Sequence, residues 1–176
     1  SGVIMPADID DMTAHAADAN SIADGNDSCY IVNIGDSRTY HMCAAEDGGW
    51  DASTFTRITR DHSERQNAID SGEMLPEEAL RNIPRNIITQ CIGAPNGIAP
   101  DYYAADAFGR FIICSDGLHA EVDKERFAAI AAADNDPQTA ADALVKAALR
   151  AGGNDNVTVV VVDMITPSPI GREWTV

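Results

Sequence analysis

Short runs of β-branched and aromatic residues, each bounded by glycine, aspartate or asparagine, punctuate this chain and are too short to be buried helices. Cys29-Tyr-Ile-Val-Asn-Ile34 stops at Gly35-Asp36-Ser37 and resumes as Arg38-Thr-Tyr-His-Met-Cys43, while Phe111-Ile-Ile-Cys114 stops at Ser115-Asp116-Gly117. Val157 to Val162 follows Gly153-Asn154-Asp155-Asn156, and its unbroken valines predict a strand covered on both faces. Thr54 to Thr59 alternates like a half-buried strand after the hairpin signal Glu46-Asp47-Gly48-Gly49, and Ile87 to Ile92 and Tyr102 to Ala107 read as further strands. A sheet protein with helices between its strands is the fold class these runs allow.

The helices announce themselves by their ends. Asp61-His62-Ser63 supplies N-cap candidates for a short helix from Glu64 to Ser71 that Gly72 closes, and Pro76-Glu77-Glu78 opens a second toward Arg81. Asp123 caps a helix over Glu125 to Ala133. Asp136-Pro137 opens a longer one whose apolar face is Ala141, Leu144, Val145, Ala148 and Leu149. Residues 5 to 28, rich in Asp, Ala, Asn and Gly, lack any sustained apolar period, so residues 1–28 read as a poorly ordered arm. Residues 165–176, with Pro167, Pro169 and Gly171, read as a loose tail.

With 176 residues there is room for one core. The net charge of -16 repels nucleic acid, and no apolar run approaches the roughly 20 residues of a membrane helix. Cys29, Cys43, Cys91 and Cys114 are far apart and form no CxxC pair, which predicts buried free thiols. The opening residues lack the basic and apolar regions of a secretion signal, so the expected compartment is the cytoplasm.

Three strand boundaries carry an aspartate beside glycine or asparagine: Asp36, Asp116 and Asp155. Each alone reads as a turn, because Asp, Asn and Gly bond their own backbone and tolerate left-handed geometry. Together they also read as carboxylates that converge on a hard divalent cation at the edge of a sheet. Spacing leaves both readings open.

Five segments, in order, resemble the PP2C-type metal-dependent protein serine/threonine phosphatases of bacteria: Ile31–Tyr40, Ile58–Ser63, Asn86–Gly93, Phe111–Leu118 and Gly152–Val160. Ser71–Ala79 resembles the flap of bacterial members, which puts a flap-like segment at about 64–86 within a partial domain over 29–164. The resemblance implies an α+β fold, a PP2C-like layered sandwich of mainly antiparallel sheets flanked by helices. It also implies hydrolysis of phosphoserine and phosphothreonine by a water activated at a binuclear Mn²⁺ or Mg²⁺ centre, with no side-chain nucleophile. Asp116 and Asp155 match metal ligands of that centre, and Asp36 a position tied to a weaker third metal. Arg81, Arg85 and His119 are the substrate-binding candidates, and the partners implied are phosphoproteins made by a serine/threonine kinase.

The family's Asp-Gly-x-Gly-Gly turn, its phosphate-binding arginine and its Gly-Thr-Thr strand have no recognisable counterpart before Cys29, and Ala120 stands where members commonly carry an aspartate. The chain by itself is therefore expected to be inactive, with N-terminal strands missing and a sheet edge open to self-association. A non-catalytic, phosphatase-like binding module is the alternative.

Overall fold

The computed structural model describes residues 2–6, 28–95 and 97–165. β2 (Ser28–Asn33) lies between β1 (Gly2–Pro6) and β5 (Asp101–Asp106) in a three-stranded antiparallel sheet, with Val32 opposite both Val3 and Tyr102. A second antiparallel sheet runs β4 (Thr56–Arg57), β3 (Arg38–Met42), β6 (Gly109–Cys114), β7 (Val159–Met164). The expected α+β architecture of mainly antiparallel sheets with helices is what forms.

Residue alternation places the core. Cys29 and Ile31 of β2 meet Phe111 of β6, with Tyr103, Val162 and Met164 beside them, so one small apolar layer joins the two sheets. The opposite face of the second sheet presents Tyr40, Met42, Ile112 and Cys114 to Leu118, Phe127, Ala131, Leu144 and Ala148. Those last residues come from α3 (Asp116–His119), α4 (Lys124–Ala132) and α5 (Pro137–Ala151). Asp123 and Asp136 cap α4 and α5 by accepting from the Arg126 and Thr139 amides, as the sequence predicts. The two remaining helices, α1 (Glu64–Asp70) and α2 (Pro76–Asn82), form the flap-like hairpin, with Ser63 accepting from the Gln66 amide as the cap of α1.

Arg110 of β6 is fully buried and is satisfied in full: it makes a two-pronged contact with Asp163 at 2.7 Å through both Nε and Nη2, and donates to the carbonyls of Ala131, Asp134 and Asn135. Its guanidinium also lies 4.7 Å from the centre of the Trp50 ring. One side chain thereby ties β6, β7 and the α4–α5 connection together.

Several expectations are corrected. The arm read over 1–28 begins with a strand, Gly2–Pro6, paired along its length with β2, so a strand does precede the Gly35-Asp36-Ser37 turn; residues 7–27 lie outside the described residues, as does the tail 166–176. Pro6 stands at the end of an edge strand, where its missing N–H breaks no ladder bond inside the sheet. Ile87 to Ile92 is no strand: only Ile88 bridges, to Ser63, and Ile92 is 76% exposed. In place of a ladder, the run is tied to the start of α1 by Glu64 N–H to Ile87 O and Thr89 N–H to His62 O. Of Thr54 to Thr59, only Thr56–Arg57 is strand, and Thr54 ends a one-turn 3₁₀ helix, Ala52–Thr54. β7, expected to be covered on both faces, has no fully buried residue: at the sheet edge Val159 and Val161 are half-buried on one face and Val162 and Met164 on the other, and Val160 is 47% exposed. In α5 the buried face is Ala140, Ala141, Leu144, Ala147 and Ala148, and Leu149 turns outward. Cys29 and Cys114 are buried free thiols, but Cys43 and Cys91 are exposed.

Candidate functional site

A cleft of about 430 Å³ opens between the ends of the second sheet and the α1–α2 hairpin. Asp36 and Arg38 reach it from the β2–β3 turn, Asp116, His119 and Ala120 from α3, and Arg57 and Asp61 from β4 and the segment after it. Ser63, Arg65, Gln66 and Ile69 line it from α1 and its cap, with Pro76 and Leu80 of α2 and then Arg85.

The turn that carries Asp36 is held from beneath. Gly35 has φ of +97°, a left-handed conformation that a Cβ disfavours. Its carbonyl accepts from the Asn33 side-chain amide at 3.2 Å and from the His62 N–H at 2.9 Å, while its own N–H donates to His62 Nδ1 at 3.2 Å. His62 Nε2 then bonds Asp101 of β5 at 3.0 Å. His62 is thus a structural tie between the turn and the first sheet, in keeping with its position before a helix.

Asp36 stands in an unfavourable field. Burial, and then the negative charge of Asp116, raise its carboxyl above the ordinary aspartate value. His119 Nε2 donates to the Asp36 carbonyl oxygen at 3.1 Å, and burial followed by the charge of Arg38 pushes the imidazole down to about 4, so it is neutral at physiological pH. Arg38 is committed to Asp61, donating from Nε at 2.9 Å and from Nη2 at 2.6 Å.

The loop carrying Asp155 is stitched to the start of α3. The Ser115 N–H donates to Thr158 O, Ser115 Oγ donates to Asn156 O at 3.1 Å and accepts from the Thr158 N–H at 3.0 Å. Gly117 is needed here, because a Cβ would overlap the Asn156 carbonyl oxygen. Asn154 Nδ2 donates to Glu121 at 3.0 Å from the same loop. Asp155 is exposed, and its Oδ1 accepts from the adjacent Asn156 N–H at 2.7 Å.

The structure therefore brings Asp36, Asp116, His119 and Arg85 to one cleft. Asp155 sits on a neighbouring loop without lining it, and Arg81, in the last turn of α2, does not line it either. The donor set suits a hard divalent cation in kind, two aspartates held near each other against their mutual repulsion, and falls short in number: among the described residues no three ligating side chains converge. Sequence reasoning missed Arg57, Asp61, Arg65 and Gln66 as cleft residues. The one signal for them was the grouping of Arg57, Arg60, Arg65, Arg81 and Arg85 in a chain with only 12 basic residues.

No family model matches the chain. It is 36% identical over 139 residues to the serine/threonine protein phosphatase PstP of Mycobacterium tuberculosis, an alignment covering 77% of this chain and 25% of that protein. It is 32% identical to the protein phosphatase PhpP of Streptococcus pneumoniae over 76% of this chain and 52% of that protein. The chain thus spans a quarter to about half of the length of these curated relatives. The solved catalytic domain of PstP in complex with two manganese ions superposes with a TM-score of 0.63 at 32% identity, covering 82% of this chain and 57% of that one. With the antiparallel sheets, the Gly-Asp-Ser and Ser-Asp-Gly strand ends and these likenesses in agreement, the chain belongs to the bacterial PP2C-type family of serine/threonine protein phosphatases, of which it spans a part.

Proposed function

We propose that this chain is part of a domain that hydrolyses phosphoserine and phosphothreonine in proteins phosphorylated by a serine/threonine kinase, and that residues 1–176 alone do not turn over. The observation that carries the reading is the approach of Asp36 to Asp116 in a cleft that also holds Arg85. Asp116 and Asp155 are the proposed ligands of a binuclear Mn²⁺ or Mg²⁺ centre, and Asp36 that of a weaker third ion. When bound, such a centre lowers the pKa of a water and neutralises charge on the phosphoryl oxygens.

The chain's own residues prepare the place. His62 and Asn33 hold the Asp36 turn, His119 anchors the Asp36 backbone, and Arg38 takes up Asp61. Arg85 forms no ion pair among the described residues, which supports it as a phosphate contact. His119 contributes position, since its Nε2 is already engaged. The four free thiols fit a reducing compartment and support action in the cytoplasm. The outer edge of β1 is the proposed route of any self-association.

The test is hydrolysis of p-nitrophenyl phosphate and of a phosphothreonine peptide with Mn²⁺. Residues 1–176 should stay at background, because loss of even one preorganised electrostatic contact costs about 10² to 10³ in rate. Extended upstream to include an Asp-Gly-x-Gly-Gly turn, the protein should turn over, and Asp116→Asn or Asp155→Asn should abolish this with the fold intact. Robust Mn²⁺-dependent turnover by residues 1–176 would overturn the claim of inactivity. An extended, folded protein that binds Mn²⁺ without turnover would establish the non-catalytic module instead.

A further inference from the structure

A net charge of -16 makes an acidic peptide the least favoured ligand over most of this surface. One part of the cleft reverses that. Asp61 is claimed by the fork of Arg38 at 2.6 and 2.9 Å, so a single guanidinium already neutralises it. Arg57 approaches the same carboxylate only at 3.5 Å, gives its Nη2 to the neutral Gln66 amide oxygen at 3.2 Å, and keeps 30% of its side chain exposed. Arg65 spends its donors on the carbonyl oxygens of Leu80 and Ile83, contacts that hold its hydrogens without cancelling its charge. Four arginines, Arg38, Arg57, Arg65 and Arg85, thus line one cleft against three carboxylates, Asp36, Asp61 and Asp116. Among the described residues Arg65 and Arg85 pair with none of these, and Arg57, which has only a share of Asp61, has a flexible stem that can turn its fork toward an arriving anion.

The cleft also has an apolar side. Ile69, Pro76 and Leu80 line it, and Leu80 is 60% exposed, so a peptide backbone has a dry surface to lie on beside the arginines. A small inorganic anion would use only the charges, whereas a peptide with an acidic side chain uses both.

We infer that Arg57, with Arg65 beside it, forms an anion subsite that selects phosphoprotein segments carrying an acidic residue next to the phosphorylated one. The phosphorylated residue enters through the phosphatase reading above; the subsite itself needs no metal.

The test is therefore made in EDTA with the 176-residue chain and two fluorescein-labelled, unphosphorylated peptides that differ only in Glu or Lys beside the central Ser, read by fluorescence anisotropy at low salt. Wild type should bind the Glu peptide about 3- to 10-fold more tightly. Arg57→Gln should erase that preference, Arg57→Lys should keep part of it, and Arg150→Gln, in the last turn of α5, should leave it unchanged. Equal or tighter binding of the Lys peptide by wild type, the order that net charge alone demands, overturns the inference, as does a preference that survives Arg57→Gln. Failure of Mn²⁺-dependent turnover in the extended protein would remove the phosphatase reading and leave this binding difference in place. Turnover without a peptide preference would remove only the subsite.

Discussion

Gly35 and His62 exchange two hydrogen bonds: the Gly35 N–H donates to His62 Nδ1 at 3.2 Å, and the His62 N–H donates to the Gly35 carbonyl at 2.9 Å. The acceptor role of Nδ1 places the ring proton on Nε2, which faces Asp101 at 3.0 Å. A side chain from before α1 thereby sets the backbone that presents Asp36.

Replacing this imidazole exposes what it satisfies. His62→Ala strips partners from the buried Gly35 amide and from Asp101, and should cost about 1–3 kcal/mol in urea unfolding. A loss below about 0.5 kcal/mol, the ordinary range of a surface change, would show that the turn holds without His62.

Arg110 should prove a sharper weak point. It is buried with five donor contacts to Asp163 and to three carbonyls, and Arg110→Ala leaves those acceptors and the Asp163 charge without partners. The expected loss is about 3–5 kcal/mol. Thermal unfolding that stays near wild type would place the stability of the α4–α5 connection elsewhere.

Metal binding by the chain alone should be weak. Asp36 and Asp116 supply only part of a shell that needs about six oxygens, and among the described residues no third ligating side chain joins them. Titration calorimetry with Mn²⁺ should find no tight site, and a submicromolar affinity that disappears in Asp116→Asn would contradict this.

The cysteines should divide two and two. A thiol reagent at neutral pH should modify the exposed Cys43 and Cys91 quickly, and the buried Cys29 and Cys114 only when the chain unfolds. Burial raises Cys29 to about 11, with the charge of Asp106 adding to it, and raises Cys114 to about 12 against the opposing charge of Arg38, from an ordinary value of 9.0. Since the folded thiols hold their protons more tightly than the unfolded ones, their contribution is complete below pH 9.0 and is lost as the pH rises from there toward 11 and 12. The midpoint in urea should fall above pH 9, and Cys114→Ser should flatten that fall.

Local chemistry made much of this protein legible before folding. Ser63, Asp123 and Asp136 cap helices because a short oxygen beside an open N–H acts over two or three residues, and any context preserves it. The strands around Gly35-Asp36-Ser37 and Ser115-Asp116-Gly117 were readable for a similar reason, a run of β-branched residues ended by residues that favour turns. Strand character at Ile87–Ile92 and at Gly2–Pro6 was misjudged because a strand exists only where a second one pairs with it, and pairing is non-local. The same holds for the cleft. Asp36 and Asp116 announce themselves in turns, but that Arg38 takes up Asp61 and leaves Arg57 only a share of it depends on two residues 23 apart in sequence folding back onto each other. Charge compensation is a matter of distances through space, and only the tertiary structure decides those.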